Sequence, residues 1–286
     1  MTTQLLQHEL KIKDLTISNQ YLFGAVLSKN KDLTKQLIEK ITGIEDIIDI
    51  RYINTEETMK TGFGSKGSRY DVYVKDHEGV AYVIELQRQD TLEIPKRARY
   101  YQAISDTNET PVGFEYRKLK DNYVIFICRE DIFKRGFHKY TFENMCHEIP
   151  DLKLGDGTKK IILNTKGTKG EIDADVLGFL KKIEGQMTDN KFAQQFETAA
   201  EKIKATEAFR RDFMQTALIE YEMKEQAREE ARQEEREKAE IEKKELLANA
   251  EAEKLSIAKN FLSMGISIED VSRATKLPVD VITSLK

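Results

Sequence analysis

The stretch from Arg69 to Gln87 (Arg-Tyr-Asp-Val-Tyr-Val-Lys-Asp-His-Glu-Gly-Val-Ala-Tyr-Val-Ile-Glu-Leu-Gln) leaves the chain little choice of local structure. Two runs rich in Val, Ile and Tyr flank a short polar insert, and such residues suit a pleated, half-buried surface. Gly79 suits the left-handed position of a three-residue loop, His77-Glu78-Gly79, closed by Asp76 and Val80. The expected product is an antiparallel hairpin of strands 70–75 and 80–87. In its register Lys75 faces Ala81, Tyr73 faces Val83 and Asp71 faces Glu85.

The flanking residues extend this hairpin into a mixed sheet. Asn19 can cap a helix carrying Leu22, Phe23, Val26 and Leu27 on one side; a second helix runs from Asp32 to Thr42, and Gly43 stops it. Ile47, Ile48, Ile50 and Tyr52 read as a strand, and glycine-rich Thr61 to Ser68 as a loop. A helix is expected after Pro95, through Lys96 to about Ser105. Asn122 to Arg129 reads as a buried strand, 139–142 and 160–164 as weaker ones, and Asp173 to Glu184 as a helix. Helix, three strands, helix, strand is the order of an α/β body with a mixed sheet flanked by helices.

From about residue 189 the pattern is helical only, with Pro278 its single proline. The chain therefore divides into a body at 1–188, a charged helical arm at 189–254 and a small C-terminal unit at 255–286. Between Glu220 and Glu245 stand eleven acids and seven bases. Lys224, Arg228, Arg232 and Arg236 recur at i,i+4 and form one basic stripe. Because acids outnumber bases, a solvated helix laced with ion pairs is favoured over a nucleic-acid contact. Ala227, Ala231 and Ala239 make a poor coiled-coil seam. In the last unit Ser267-Ile-Glu-Asp270 has capping-box form, and short helices with tight turns suit a helix-turn-helix or a packing cap.

Composition removes several classes of function. Two cysteines, Cys128 and Cys146, are too few for a disulfide framework, and no Cys/His spacing suggests zinc. The opening Met-Thr-Thr-Gln-Leu-Leu has no secretory character, and the longest apolar run, Val124 to Cys128, is far short of a membrane span. A cytoplasmic protein without membrane attachment is expected. A formal charge of −4 does not by itself nominate nucleic acid.

The chemistry concentrates in the hairpin and the helix after it. Opposed Asp71 and Glu85 would hold their Cβ atoms about 4.5–5.5 Å apart on one sheet face, where like charges destabilise each other. A divalent cation removes that conflict. Gln87, two residues beyond Glu85, points to the same face. Oxygen ligands without His or Cys suit Mg²⁺ or Mn²⁺. In Pro95-Lys-Arg-Ala-Arg-Tyr-Tyr-Gln102, Arg97 and Tyr101 share a helix face, and an arginine beside such a pair can grip a phosphate. One of Tyr100 and Tyr101 is expected in the core.

Asp71, the Glu85-Leu-Gln87 strand and Arg97-x-x-Tyr100-Tyr101 together resemble the PD-(D/E)xK nuclease superfamily. More closely, they resemble the Rpn-type recombination-promoting nucleases, also called PD-(D/E)xK family transposases. The Asn30-Lys31-Asp32-Leu33 helix start and the Gly265-Ile-Ser-Ile-Glu-Asp tail are similar too. The resemblance spans residues 15 to 150 well and the tail loosely. It implies a restriction-endonuclease-like fold and Mg²⁺- or Mn²⁺-dependent cleavage of double-stranded DNA by a metal-activated water. Asp71 and Glu85 would be the metal ligands, Gln87 and Arg97 further catalytic residues, and Arg99, Tyr101 and Lys75 DNA contacts. A homodimer is compatible with it. Gln87 stands where the wider superfamily has a catalytic lysine, so the cation must come from Arg97, Lys75 or a second metal. Some superfamily members add an acid from the first helix, for which Glu39 is a candidate. The alternative is a non-catalytic DNA-binding or assembly protein that retains the nuclease fold; a third reading makes the arm primary.

Overall fold

The computed structural model describes residues 12–52, 71–88, 92–109 and 113–285. The expected loop at 61–68 lies outside them. The hairpin has the register read from its turn: β2 (Val72–Asp76) and β3 (Ala81–Gln87) pair antiparallel, with Tyr73 opposite Val83 and Lys75 opposite Ala81. Gly79 has a φ of 90° and donates its N–H to the Asp76 carbonyl at 3.1 Å. The Asp76 carboxylate then accepts from the N–H groups of Glu78 and Val80, both at 2.9 Å, so the side chain closes the loop it starts.

Helices α1 (Gln20–Lys29) and α2 (Lys31–Thr42) precede the sheet. Asn19 caps the first through Leu22 N at 3.0 Å, and Gly43, at a φ of 73°, ends the second. The first strand is shorter than its isoleucines suggest: β1 is Ile50–Tyr52. Ile47 is tied to α2 instead, its N–H to the Glu39 carboxylate and its carbonyl to Lys35, and Ile48 is 76% exposed.

Helix α3 (Ile94–Glu109) carries the chain over the sheet from β3 to the parallel strand β4 (Asn122–Cys128). Edge strand β5 (Lys139–Phe142) and β6 (Thr158–Asn164) complete six strands in the order β1-β2-β3-β4-β6-β5. Period-two alternation sends the two sides of each strand into different cores. Tyr73, Ala81, Val83, Val124 and Phe126 pack under Ile94, Ala98 and Tyr101 of α3. Val72, Val74, Ile84, Leu86, Ile125 and Ile127 face the other way, toward α1, α2, α4 (Ala174–Ile183) and α5 (Lys191–Lys204).

Helix α5 departs from the division read in the sequence. Its Phe192, Phe196, Ala199, Ala200 and Ile203 form a stripe at helical spacing and are buried in the body, Phe196 lying 4.7 Å from Phe179 between ring centres. The chain separates into two compact units, 1–214 and 215–286, within which α6 (Glu207–Ser263) contributes to both. Residues 1–214 made alone are therefore expected to melt cooperatively, because every large apolar cluster of the body is internal to them. A broad, non-cooperative melt of that fragment would refute this division.

In the second unit, described residues of α6 between 225 and 253 are exposed. Arg228 pairs with Glu225 at 2.6 Å, Arg232 with Glu229 at 3.7 Å and Lys244 with Glu240 at 3.5 Å, in keeping with a solvated, ion-paired helix. The unit ends in α7 (Ile268–Thr275) and α8 (Val279–Thr283), joined through Lys276 at a φ of 60°. Ala258, Val271, Leu277 and Ile282 make its small core, and the Ser267 hydroxyl accepts from Asp270 N at 3.2 Å. No helix among the described residues is long and apolar enough to cross a membrane.

Candidate active site

Strand β3 and helix α3 place four side chains in one hydrogen-bonded cluster. Glu85 and Gln87 lie on the α3 side of the sheet because they keep the parity of Ala81 and Val83. Arg97 and Tyr101, one turn apart on α3, come down over them. The Arg97 guanidinium spans the pair, Nη1 donating to Gln87 Oε1 and Nη2 to Glu85 Oε1, both at 2.6 Å. Nη2 also donates to the Tyr101 hydroxyl at 2.8 Å, and that hydroxyl donates to Glu85 Oε1 at 3.2 Å. Tyr101 stacks on Phe126 of β4 with ring centres 5.8 Å apart, and the guanidinium carbon is 5.4 Å from each ring centre. The aromatic pair thus fixes the height and tilt of the guanidinium fork.

Asp71 closes the cluster from the other strand. It stands just before β2, where the β2–β3 ladder has ended at Val72 opposite Ile84. In place of strand pairing, Asp71 N donates to Glu85 Oε2 at 3.0 Å and Asp71 Oδ2 accepts from Leu86 N at 2.7 Å. The two carboxylates are therefore neighbours, although Asp71 lies just outside the strand ladder that was expected to oppose it to Glu85.

Their electrostatics follow from that closeness. Burial, and next the charge of Glu85, push the Asp71 carboxyl well above the ordinary range, against the pull of Leu86 N–H and Arg97. Burial likewise raises Glu85, which is 1% exposed; the Asp71 N–H and the Arg97 charge oppose it. Tyr101 is pushed up to about 12 by burial and by Glu85, so it stays a neutral donor. Burial works against the charge on Arg97, but its bond to Tyr101 and the carboxylates outweigh this and raise its pKa.

A sign follows for stability. Unfolding returns both carboxyls to about pH 4, so above that value and up to the raised folded pKa the native state binds more protons. Stability from this pair is full at acid pH and is lost as pH rises through that window. In chelator, Asp71→Asn removes the repulsion and is expected to melt above wild type at pH 8, the two converging as pH falls toward about 4. Equal melting temperatures at pH 8 would contradict this electrostatic account.

The remaining expected contacts are distributed unevenly. Arg99 is exposed on α3. Lys75 is 4% and Tyr101 6% exposed, which places both under the surface rather than on a face that DNA could touch. Tyr101 is the core tyrosine of its pair, and Tyr100 is 40% exposed. Glu39 is engaged at Ile47 N and Lys35, supporting the loop before β1. Helix α1 brings Gln20 near Asp71, where its amide favours the ionised carboxylate. Sequence reasoning missed Gln20 and Phe126; no local signal marked the first, and β4 parity was the signal for the second.

The donor set fits a hard divalent cation. Among the described residues no group of three or more His, Cys, Asp or Glu side chains gathers. Two adjacent carboxylates of raised pKa are nonetheless the kind of set Mg²⁺ takes, since it keeps several waters and binds through one or two carboxylates plus phosphate oxygens.

A six-stranded mixed sheet flanked by helices, with this cluster on one face, defines a nuclease-fold protein. The family model described as PD-(D/E)XK nuclease family transposase matches residues 17–250, and the chain belongs to that family. Nucleases of this kind generally use divalent metals. No curated protein and no solved structure matches the chain significantly.

Proposed function

We propose that the protein is a metal-dependent DNA endonuclease of the recombination-promoting, transposase-associated type. One observation carries the reading: Arg97 bridges Glu85 and Gln87 beside Asp71, which puts a fixed cation where Gln87 itself can offer none. Asp71 and Glu85 would hold Mg²⁺ or Mn²⁺, which when bound supplies an acidified water and neutralises charge on the scissile phosphate. The protein's own share is positional. Glu85 is locked by three donors, Gln87 holds one arm of the guanidinium, and Arg97, 27% exposed at its side chain, is within reach of a phosphate oxygen from solvent. Exposed Arg99 on the same helix suits contact with the backbone of double-stranded DNA.

A second reading has its own support. Glu85 Oε1 already accepts from Arg97 and Tyr101, an arrangement that satisfies the carboxylate without metal and suits a DNA-binding or assembly protein that kept the fold. Purified protein on supercoiled plasmid separates the two. The nuclease reading expects nicking with Mg²⁺ or Mn²⁺ and none in chelator; binding without nicking under any divalent cation would leave the second.

A further inference from the structure

Strand β5 ends the sheet, and among the described residues it has a neighbouring strand on one side only, β6. His138 O accepts from Asn164 N at 2.8 Å, so the even-numbered positions bond inward. Strand parity turns the N–H and C=O groups of Lys139 and Thr141 the other way. The edge runs on past the strand. Asn144 O accepts from Leu154 N at 2.9 Å and Cys146 N donates to Leu152 O at 2.8 Å, which leaves the Met145 backbone on the outer side.

An open strand is a template for another strand, and natural edges are usually guarded by charge, proline or a covering element. Here the strand's one lysine does not stand guard, because Lys139 Nζ turns back to the Ile41 carbonyl of α2. Tyr140 and Phe142 both pack on Phe133, with ring centres 4.9 and 5.0 Å away, which puts them on one face. Thr141 is exposed, and Phe137 and Met145 are 43% and 44% exposed.

We propose that this edge is a homodimer interface, in which β5 pairs antiparallel with β5 of a second copy about a two-fold axis at Thr141. The strand's own sequence names the occupant. In that register Thr141 meets Thr141, Tyr140 meets Phe142, Lys139 meets Glu143, and Phe137 meets Met145. Threonine with threonine, aromatic with aromatic and lysine with glutamate are the cross-strand pairs that stabilise antiparallel strands. Among the described residues Lys139 has no acidic partner, and a second copy supplies one. Glu143 meets Lys153 of its own chain through Oε1 at 2.7 Å, and a carboxylate has a second oxygen to offer. Such an interface uses the same patch on both copies and closes at two chains. The inference rests on the sheet edge alone and holds whether or not the Asp71–Glu85 cluster cuts DNA.

Sedimentation equilibrium of the full-length protein tests it, with melting temperatures recorded below the dimer range. One strand pair is a small interface, so a dissociation constant on the order of 1–100 µM is expected. Thr141→Lys sets two ammonium groups against each other at the axis. It should weaken dimerisation about tenfold or more and leave the melting temperature within about 2 °C of wild type, as for other exposed substitutions. Lys139→Glu and Glu143→Lys each create two like-charge pairs and should weaken it by a similar factor. Mixed together, these two variants restore both opposite-charge pairs across the interface, and the mixture should dimerise with nearly wild-type affinity. Damage confined to either chain cannot be repaired by mixing. A wild type that stays monomeric well above the expected range overturns the proposal and leaves the edge to a different partner. A dimer untouched by Thr141→Lys puts the interface elsewhere and overturns it too. A mixture no tighter than its components overturns the pairing about Thr141.

Discussion

Asp71→Asn is expected to lower Mg²⁺-stimulated nicking by about 10³-fold or more, while binding of duplex DNA in chelator holds or tightens. The change keeps size and most hydrogen bonding but removes one of two ligand charges. With less negative charge beside the phosphates, binding has no reason to weaken. Glu85→Gln should lose activity equally, with a second effect. Glu85 accepts on both sides, from Asp71 N at one oxygen and from Arg97 and Tyr101 at the other. An amide must turn its NH₂ toward one of these donors, a mismatch worth about 1–3 kcal/mol of stability. Asp71→Asn is therefore the cleaner probe of chemistry, and Glu85→Gln the one to pair with a melting curve. Nicking that survives both substitutions would assign the activity elsewhere.

These expectations rest on a register that was legible before any coordinates. The Gly79 turn specified the pairing of Tyr73 with Val83 and Lys75 with Ala81, and strand parity then put Glu85 and Gln87 on one face, while Asp71 reaches Glu85 from just before the ladder. Strand β5 at 139–142 and helix α4 between Asp173 and Glu184 were likewise legible, because apolar spacing and a capping aspartate coincide there. Other features depend on distant partners and left no local trace. Ile47 looked like strand because its side chain is apolar, yet its backbone groups are claimed by Lys35 and Glu39 of α2. Lys75 looked like a surface cation, but the sheet face it occupies is covered by α3. Helix α5 was read as the start of the charged arm on its lysines and glutamates; its phenylalanine stripe decides otherwise. Gln20 had no signal of its own, since the meeting of α1 with Asp71 is set by packing and not by spacing along the chain.

The geometry also shapes what is expected at Gln87. A lysine in that place would offer the cation the wider superfamily uses, but here Gln87 Oε1 accepts from Arg97 Nη1 at 2.6 Å. Gln87→Lys alone would set an ammonium against a guanidinium, expelling the Arg97 fork from Glu85, and is expected to cut nicking by about 10²-fold. Arg97→Gln alone removes the fixed cation and leaves Glu85, 1% exposed, without its charged partner; activity should fall by about 10²–10³-fold, with stability reduced by up to about 3 kcal/mol. The double exchange, Gln87→Lys with Arg97→Gln, restores one cation and one amide to the same two positions. If the cluster works by supplying a single positive charge beside the two carboxylates, the exchanged protein should recover at least tenfold over either single variant, and its melting temperature should rise toward wild type. The coupling is read from the four-member cycle of rates and melting temperatures. Strict additivity of the two losses would show that Arg97 and Gln87 act independently, and the bridging role assigned to the guanidinium would then be wrong.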